Sequence, residues 1–210
     1  MTIVSDDPED GRKVMKVNQF RRDKDDKFLI LILEPTTQKG QGYLQVEENL
    51  WFYDPESRRF NSSSSKERFQ NSNARNSDFT QSTLAEDYDV IKGEEVTLGK
   101  YQCWLLYLKA NNDKVTYPNM KIWISSDGLV RKTEDYSLAN QLLRTTAIPD
   151  YQKVGKKYVP SKILLVDALK GAKIKGKFYH EKTQITITKP SVKDIPDYVF
   201  SKTFLESVNK

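Results

Sequence analysis

Asn49–Phe60 reads NLWFYDPESRRF. Leu50 to Tyr53 form an unbroken apolar and aromatic run, and Asp54-Pro55-Glu56-Ser57 interrupts it. Proline presets the second position of a turn, and an aspartate just before it can accept hydrogen bonds from the turn backbone. The stretch is therefore predicted as a strand, a tight turn and the start of a return strand at Arg58 and Arg59. Successive side chains of a strand point to opposite faces. Trp51 and Tyr53 then share one face, and Leu50 and Phe52 the other. Both faces are apolar, whereas an antiparallel sheet ordinarily keeps one face wet.

The same texture recurs on either side. FLILIL (28–33) and CWLLYL (103–108) are apolar on both faces as well. RKVMKVNQF (12–20) precedes the first of these, with the charged turn RRDKDD between them, and Pro35 ends it because proline lacks a ladder donor. TTQKGQG connects to GYLQV, and EEN turns that segment into LWFYD. Farther on, strands are predicted over 100–109 and 120–125, with NND and SSDG as turns. Turn signals about every ten residues fit a meandering antiparallel sheet. Long helical patterns are too few to cover a parallel sheet on both sides. Something must cover the apolar faces: barrel closure, a second layer, helices or a ligand. Residues 61–77, NSSSSKERFQNSNARNS, have only Phe69 and Ala74 as apolar residues and are expected to form a mobile polar loop. A short helix is expected within 77–90, with Thr80 or Ser82 as its cap.

The chain has 210 residues, enough for one sizeable domain, and a single core is the default at that size. Its formal net charge is +5, from 34 basic against 29 acidic residues, which reads as a mixed, solvated surface. One cysteine, Cys103, rules out an internal disulfide. No run approaches the ~20 apolar residues of a membrane-spanning helix. TIVSDDPEDG after Met1 does not read as a signal peptide. One histidine, His180, leaves little for a Ser–His–acid or Cys–His site, and no G-x-S-x-G is present. Cys103 lies in a packed strand, where a thiol is ordinarily inert. Zinc, phosphate-loop, dinucleotide and calcium patterns are incomplete or missing. A pair of catalytic carboxylates stays open, since 29 acidic residues single out no two. Basic residues accompany aromatics at 58–60, 155–159 and 173–180, but acidic residues are interspersed, so nucleic acid is not an expected partner.

FLILILEPTTQKGQGYL, then ENLWFYDPESRRF, then NSDFT, in that order, resemble the LolA-like proteins, described as outer-membrane lipoprotein-sorting proteins. KYQCWLLYL, YPNMKIWIS and DYVFSKTFL are similar to the later strands and end of that family. The resemblance covers nearly the whole chain and implies one lipid-binding domain over 1–210. It implies a mainly β fold: an incompletely closed antiparallel barrel, a curved sheet, with a few short helices as a lid over an apolar cavity. Expected cavity residues are Ile30, Ile32, Leu44, Trp51, Tyr53, Phe79, Trp104, Leu106 and Trp123, with Arg58 and Arg59 as candidates for lipid headgroups. The family implies no metal, cofactor or catalysis, a bound lipid or fatty acyl chain, and transport of lipid or lipoprotein toward the outer membrane. Partners would be acyl chains and a membrane surface or membrane transporter. Residence would be periplasmic, with a leader, preceding helix or lipid anchor upstream of Met1. A lipid-modifying hydrolase on the same fold and a surface-exposed interaction protein are the alternatives.

Overall fold

A computed structural model describes residues 1–208. Thirteen strands follow in chain order. The first six are β1 (Thr2–Asp7), β2 (Gly11–Arg22), β3 (Lys27–Glu34), β4 (Gly42–Val46), β5 (Asn49–Asp54) and β6 (Arg59–Ser63). The rest are β7 (Tyr88–Leu98), β8 (Tyr101–Ala110), β9 (Asn119–Ser125), β10 (Val130–Tyr136), β11 (Leu142–Val154), β12 (Lys157–Ile174) and β13 (Lys177–Thr186). They build one antiparallel sheet from two meanders, β1–β6 and β7–β13, joined where β1 pairs with β13. β6 and β7 are its two edges and do not pair. The curved sheet is thus not closed, as the resemblance implies.

The opening stretch forms the expected hairpin. Asp54 accepts from the Glu56 amide at 3.1 Å and from the Ser57 hydroxyl at 2.8 Å. Its register pairs Tyr53 with Phe60 and Leu50 with Ser63. Across β3, β4 and β5, Ile30 pairs with Tyr43 and Tyr43 with Phe52, while Leu29 pairs with Leu44 and Leu44 with Trp51. These two rows face opposite ways, and each has its own cover.

The row of Ile30, Tyr43 and Phe52 belongs to the main core on the inner face, with Ile3, Val17, Phe28, Ile32, Leu50, Leu165 and Ile185. Its cover comes from the long β6–β7 connection, which carries Phe69, Ala74 and Phe79 into this core. Phe69 stacks against Tyr43 and Phe79 at ring distances of 4.9 and 4.6 Å and is fully buried. Ser72, Asn73 and Asn76 are buried beside it. The stretch read from its composition as a mobile polar loop is therefore docked against the sheet. Part of its polar inventory is spent on local bonds: Ser72 Oγ donates to the Phe69 carbonyl, and Asn76 Nδ2 to the Ser64 carbonyl at 2.8 Å. The expected helix is one short turn, α1 (Leu84–Asp87), starting after Thr83, where no side chain caps it. Thr80 instead donates to the Ser77 carbonyl.

The opposite row packs under the C-terminal helix α2 (Lys202–Ser207) and the segment before it. Ser201 Oγ accepts from the Phe204 amide at 3.1 Å and caps this helix. Phe200 and Leu205 are buried against Leu29, Leu44 and Tyr53. Fully burying a leucine such as Leu205 contributes roughly 1.5–3 kcal/mol. Gly42 makes the approach possible: a Cβ there would meet Leu205 and the Ile30 carbonyl oxygen, each at 2.7 Å. Arg22 ties the same segment down through Asp197 and the Ile195 carbonyl.

Candidate functional site

Strand register extends the inner face beyond the docked segment. Leu106 pairs with Ile122, Ile122 with Thr133, Thr133 with Thr146, Thr146 with Leu165, Leu165 with Thr183 and Thr183 with Ser5. A second row runs through Trp104, Ile124 and Val130 on β8 to β10, and a third through Met15, Ile3, Ile185 and Ile163 at the junction of the meanders. Alternation puts all of these on one side. Near β1 this side is filled except for one cleft beside the β1–β2 hairpin; near β7 it opens. Trp104 is 51% exposed and Val90 58%, and Leu106, Ile124 and Val130 are only partly buried. This side thus runs from the closed core, through the hydroxyls of Thr133 and Thr146, to an open apolar end at Trp104, Leu106 and Ile124.

Two arginine clusters clamp the docked segment between these regions. Arg144 on β11 is buried and holds Asp78 through two bonds of 2.6 and 3.0 Å, Asp135 through one of 2.7 Å and the Asn73 carbonyl at 3.3 Å. Tyr117 lies against its guanidinium, 4.9 Å from the ring centre. Asp135 is fully buried, and burial pushes its carboxyl upward against the opposing pull of Arg144. The two carboxylates hold Arg144 well above its usual value despite its burial. The second cluster has the opposite polarity. Arg68, on the segment, reaches Asp167 on β12 at 2.6 Å and Glu181 on β13 at 3.3 Å. Ion pairs removed from water cost desolvation, so breaking one partner harms stability more than the intact pair adds. The arrangement fixes where the segment lies.

Between the segment and the β1–β2 hairpin is a cleft of about 220 Å³. Ile3, Met15 and Phe69 supply its apolar lining, and Lys13, Gln38 and Gln70 its polar lining. Gln70 Nε2 also donates to the Tyr43 hydroxyl at 3.2 Å, and burial pushes that phenol up to about 12. Ordinary small-molecule pockets hold ~300–1,000 Å³. A long hydrocarbon chain therefore fits here only if the 69–72 turn, which walls the cleft, moves.

The rest of the chemistry is sparse. His180 Nδ1 meets the Asp167 carbonyl at 3.0 Å, and its ring packs edge-on against Phe178 at 4.9 Å. Cys103 is buried, and burial raises its thiol pKa. No cluster of three metal-ligating side chains occurs among the described residues. No helix among them is long and apolar enough to cross a membrane.

A family model described as an uncharacterized protein, the DUF1329 family, matches residues 24–207. The chain belongs to the DUF1329 family. Among solved structures, a DUF1329 family protein from Desulfovibrio piger superimposes with a TM-score of 0.82 at 16% identity, over 97% of this chain and 89% of that one. An outer membrane lipoprotein-sorting protein domain from Vibrio parahaemolyticus gives 0.80 at 16%, over 98% and 88%. A LolA superfamily protein from Nitrosomonas europaea gives 0.78 at 21%, over 97% and 88%. Comparison with curated proteins finds no match. The DUF1329 chain thus has the LolA fold expected from its sequence.

In this DUF1329 chain the residues expected to share one cavity do not share one face. Ile30, Ile32 and Phe79 are buried in the inner core, and Trp104 and Leu106 line the open end of the same side. Leu44, Trp51 and Tyr53 lie on the outer face under the C-terminal segment, where Lys202 Nζ sits 4.3 Å from the Trp51 ring centre. Trp123 pairs with Leu105 on the outer side too, under Lys132 at 4.5 Å. The reason is strand parity: Leu50 and Phe52, not Trp51 and Tyr53, turn inward. Arg58 and Arg59 are exposed at the β5–β6 turn, and Arg58 has a positive φ of 55° there. Ile3, Met15, Ile124 and Val90 share this side without standing among the expected cavity residues. Their signal exists only in cross-strand register.

Proposed function

We propose that this chain is a non-enzymatic carrier that shields acyl chains of a lipid or lipoprotein along the inner face of its sheet. The supporting observation is the half-exposed apolar patch of Trp104, Leu106 and Ile124, on the same side of the sheet as the core and past the docked segment. A large aromatic left half in water beside Leu106 and Ile124 suits a face that receives hydrocarbon. Each methylene moved there from water contributes ~0.8 kcal/mol. The docked segment takes the place of the lid. Phe69 and Phe79 occupy the inner core when no cargo is held, and displacement of the 69–72 turn joins the cleft to the open end. The whole of 1–210 acts as one lipid-binding domain. The Vibrio parahaemolyticus relative is an outer membrane lipoprotein-sorting protein domain, and the shared fold supports the same cargo class and a periplasmic setting here. Cargo would pass to a membrane or a membrane-bound partner, and no cofactor takes part. Titration with the fluorescent fatty acid cis-parinaric acid tests the reading. Trp104→Asp and Leu106→Asp each weaken binding tenfold or more, and Tyr198→Ser, on the outer face, leaves it unchanged. No saturable binding, or binding indifferent to both aspartates, refutes the carrier.

A further inference from the structure

β12 and β13 continue together beyond the body of the sheet. β11 pairs with β12 only over Lys157–Asp167, and β1 pairs with β13 only over Lys182–Thr186. Past those points the backbone ladder runs only between these two strands, from Gly171 with His180 to Ile174 with Lys177, and Arg68 holds Glu181 at its base. Gly171 marks where this free ribbon departs: a Cβ there would lie 2.0 Å from the Tyr179 carbonyl oxygen. A two-stranded ribbon alone is marginal in water. This one is unusually greasy as well. Leu169, Ile174, Phe178 and Tyr179 are 52, 43, 46 and 45% exposed. Register places Ile174 and Tyr179 with Lys177 on one face and Phe178 with Lys173 on the other, so each face mixes apolar and cationic side chains.

The charge is equally lopsided. Residues 168–180 hold Lys170, Lys173, Lys175 and Lys177 and no acidic residue, in a chain whose net charge is only +5. All four lysines are exposed. Lys177 lies 5.5 Å from the Tyr179 ring centre, Lys170 acts at longer range on the Asp7 carboxylate, and none of the four lies within ion-pair distance of a carboxylate among the described residues. A one-sided docking groove would carry its apolar groups on one face. A ribbon that carries apolar side chains and lysines together on both faces matches the boundary of an anionic bilayer, where aromatics settle at headgroup depth and lysines meet phosphates. Nucleic acid fits less well, because Leu169 and Ile174 give bases nothing to stack on.

We infer that the 168–180 ribbon is a membrane-contact wedge that docks the protein on an anionic lipid surface. The inference goes beyond the carrier reading and does not depend on it. Co-sedimentation of the full chain with vesicles of phosphatidylcholine, with and without phosphatidylglycerol, tests it. Binding requires phosphatidylglycerol and falls as salt is raised. Each lysine near such a surface is worth about fivefold in partitioning. Lys173→Gln, Lys175→Gln and Lys177→Gln together therefore weaken it on the order of a hundredfold. Phe178→Ser with Tyr179→Ser also releases the protein from vesicles. Both variants retain the parent circular dichroism and bind cis-parinaric acid as before, so failure of the carrier reading registers separately. The wedge is overturned by no vesicle binding, by equal binding to neutral vesicles, by indifference to the lysine changes, or by capture of a single-stranded oligonucleotide in place of anionic vesicles.

Discussion

Phe69→Ala tests the docking of the β6–β7 connection. Phe69 is fully buried, stacks on Tyr43 and Phe79 and walls the cleft. Replacing a buried phenylalanine by alanine costs about 3–5 kcal/mol, part in lost transfer free energy and part in the cavity left behind. An exposed loop position would change stability by no more than ~0.5 kcal/mol. For a chain of this length each kcal/mol moves the melting temperature by roughly 2–4 °C, so a drop of about 10 °C is expected. Urea unfolding followed by circular dichroism measures the difference directly, with an unchanged m-value showing that the unfolded state is the same. The variant also has a functional signature. The free energy that holds the segment down opposes entry of cargo, so loosening it raises the apparent affinity for cis-parinaric acid. A destabilisation below ~1 kcal/mol would show that the segment does not contribute to the core as described.

Other perturbations address the clamp and the outer cover. Arg144→Met leaves Asp135 and Asp78 without their shared cation and costs about 3–5 kcal/mol in urea melts, whereas a cost under ~1 kcal/mol would remove the clamp from the account. Burial raises the Asp135 pKa, so the native state holds that proton more tightly than the unfolded chain. The associated stability is present below the unfolded value and is lost as pH rises through the folded one. Wild type therefore gains on Asp135→Asn as melts are moved from pH 7 toward pH 4, and a pH-independent difference contradicts the assignment. Gly42→Ala drives a methyl into Leu205 and the Ile30 carbonyl. It is expected to undock α2 and speed hydrogen exchange there, and unchanged protection would show that the contact is dispensable.

Strands were legible because alternation, Pro35 and the Asp54-Pro55 turn are local signals. The hairpin that begins at Asn49 needed nothing else. Which face turns inward was not legible. Leu50, Trp51, Phe52 and Tyr53 are all apolar, so a slip of one residue leaves the pattern unchanged and exchanges the faces. The resemblance alone put Trp51 and Tyr53 among the expected cavity residues. Register assigns that side to Leu50 and Phe52 and sends the larger pair under Phe200 and Leu205. The stretch 61–77 misled for the converse reason. Ser72, Asn73 and Asn76 look like solvent-facing residues, yet each is buried and bonded within the docked segment or to the sheet, as when Thr183 Oγ1 accepts from the Asn73 amide at 2.9 Å. Composition averages over a segment, whereas burial here turns on Phe69, Ala74 and Phe79. Arg68 and Arg144 were likewise invisible among 34 basic residues, because their partners lie 99 and 66 positions away at Asp167 and Asp78.

Whether hydrocarbon occupies the inner face is the question on which the carrier account turns. Native mass spectrometry of the chain purified from bacterial cells, followed by lipid extraction, answers it most directly. The account predicts a lipid-mass adduct on the parent chain that Leu106→Asp loses while remaining folded. A chain that flies at its bare polypeptide mass even after incubation with fatty acid, with wild type and Leu106→Asp alike, would contradict it.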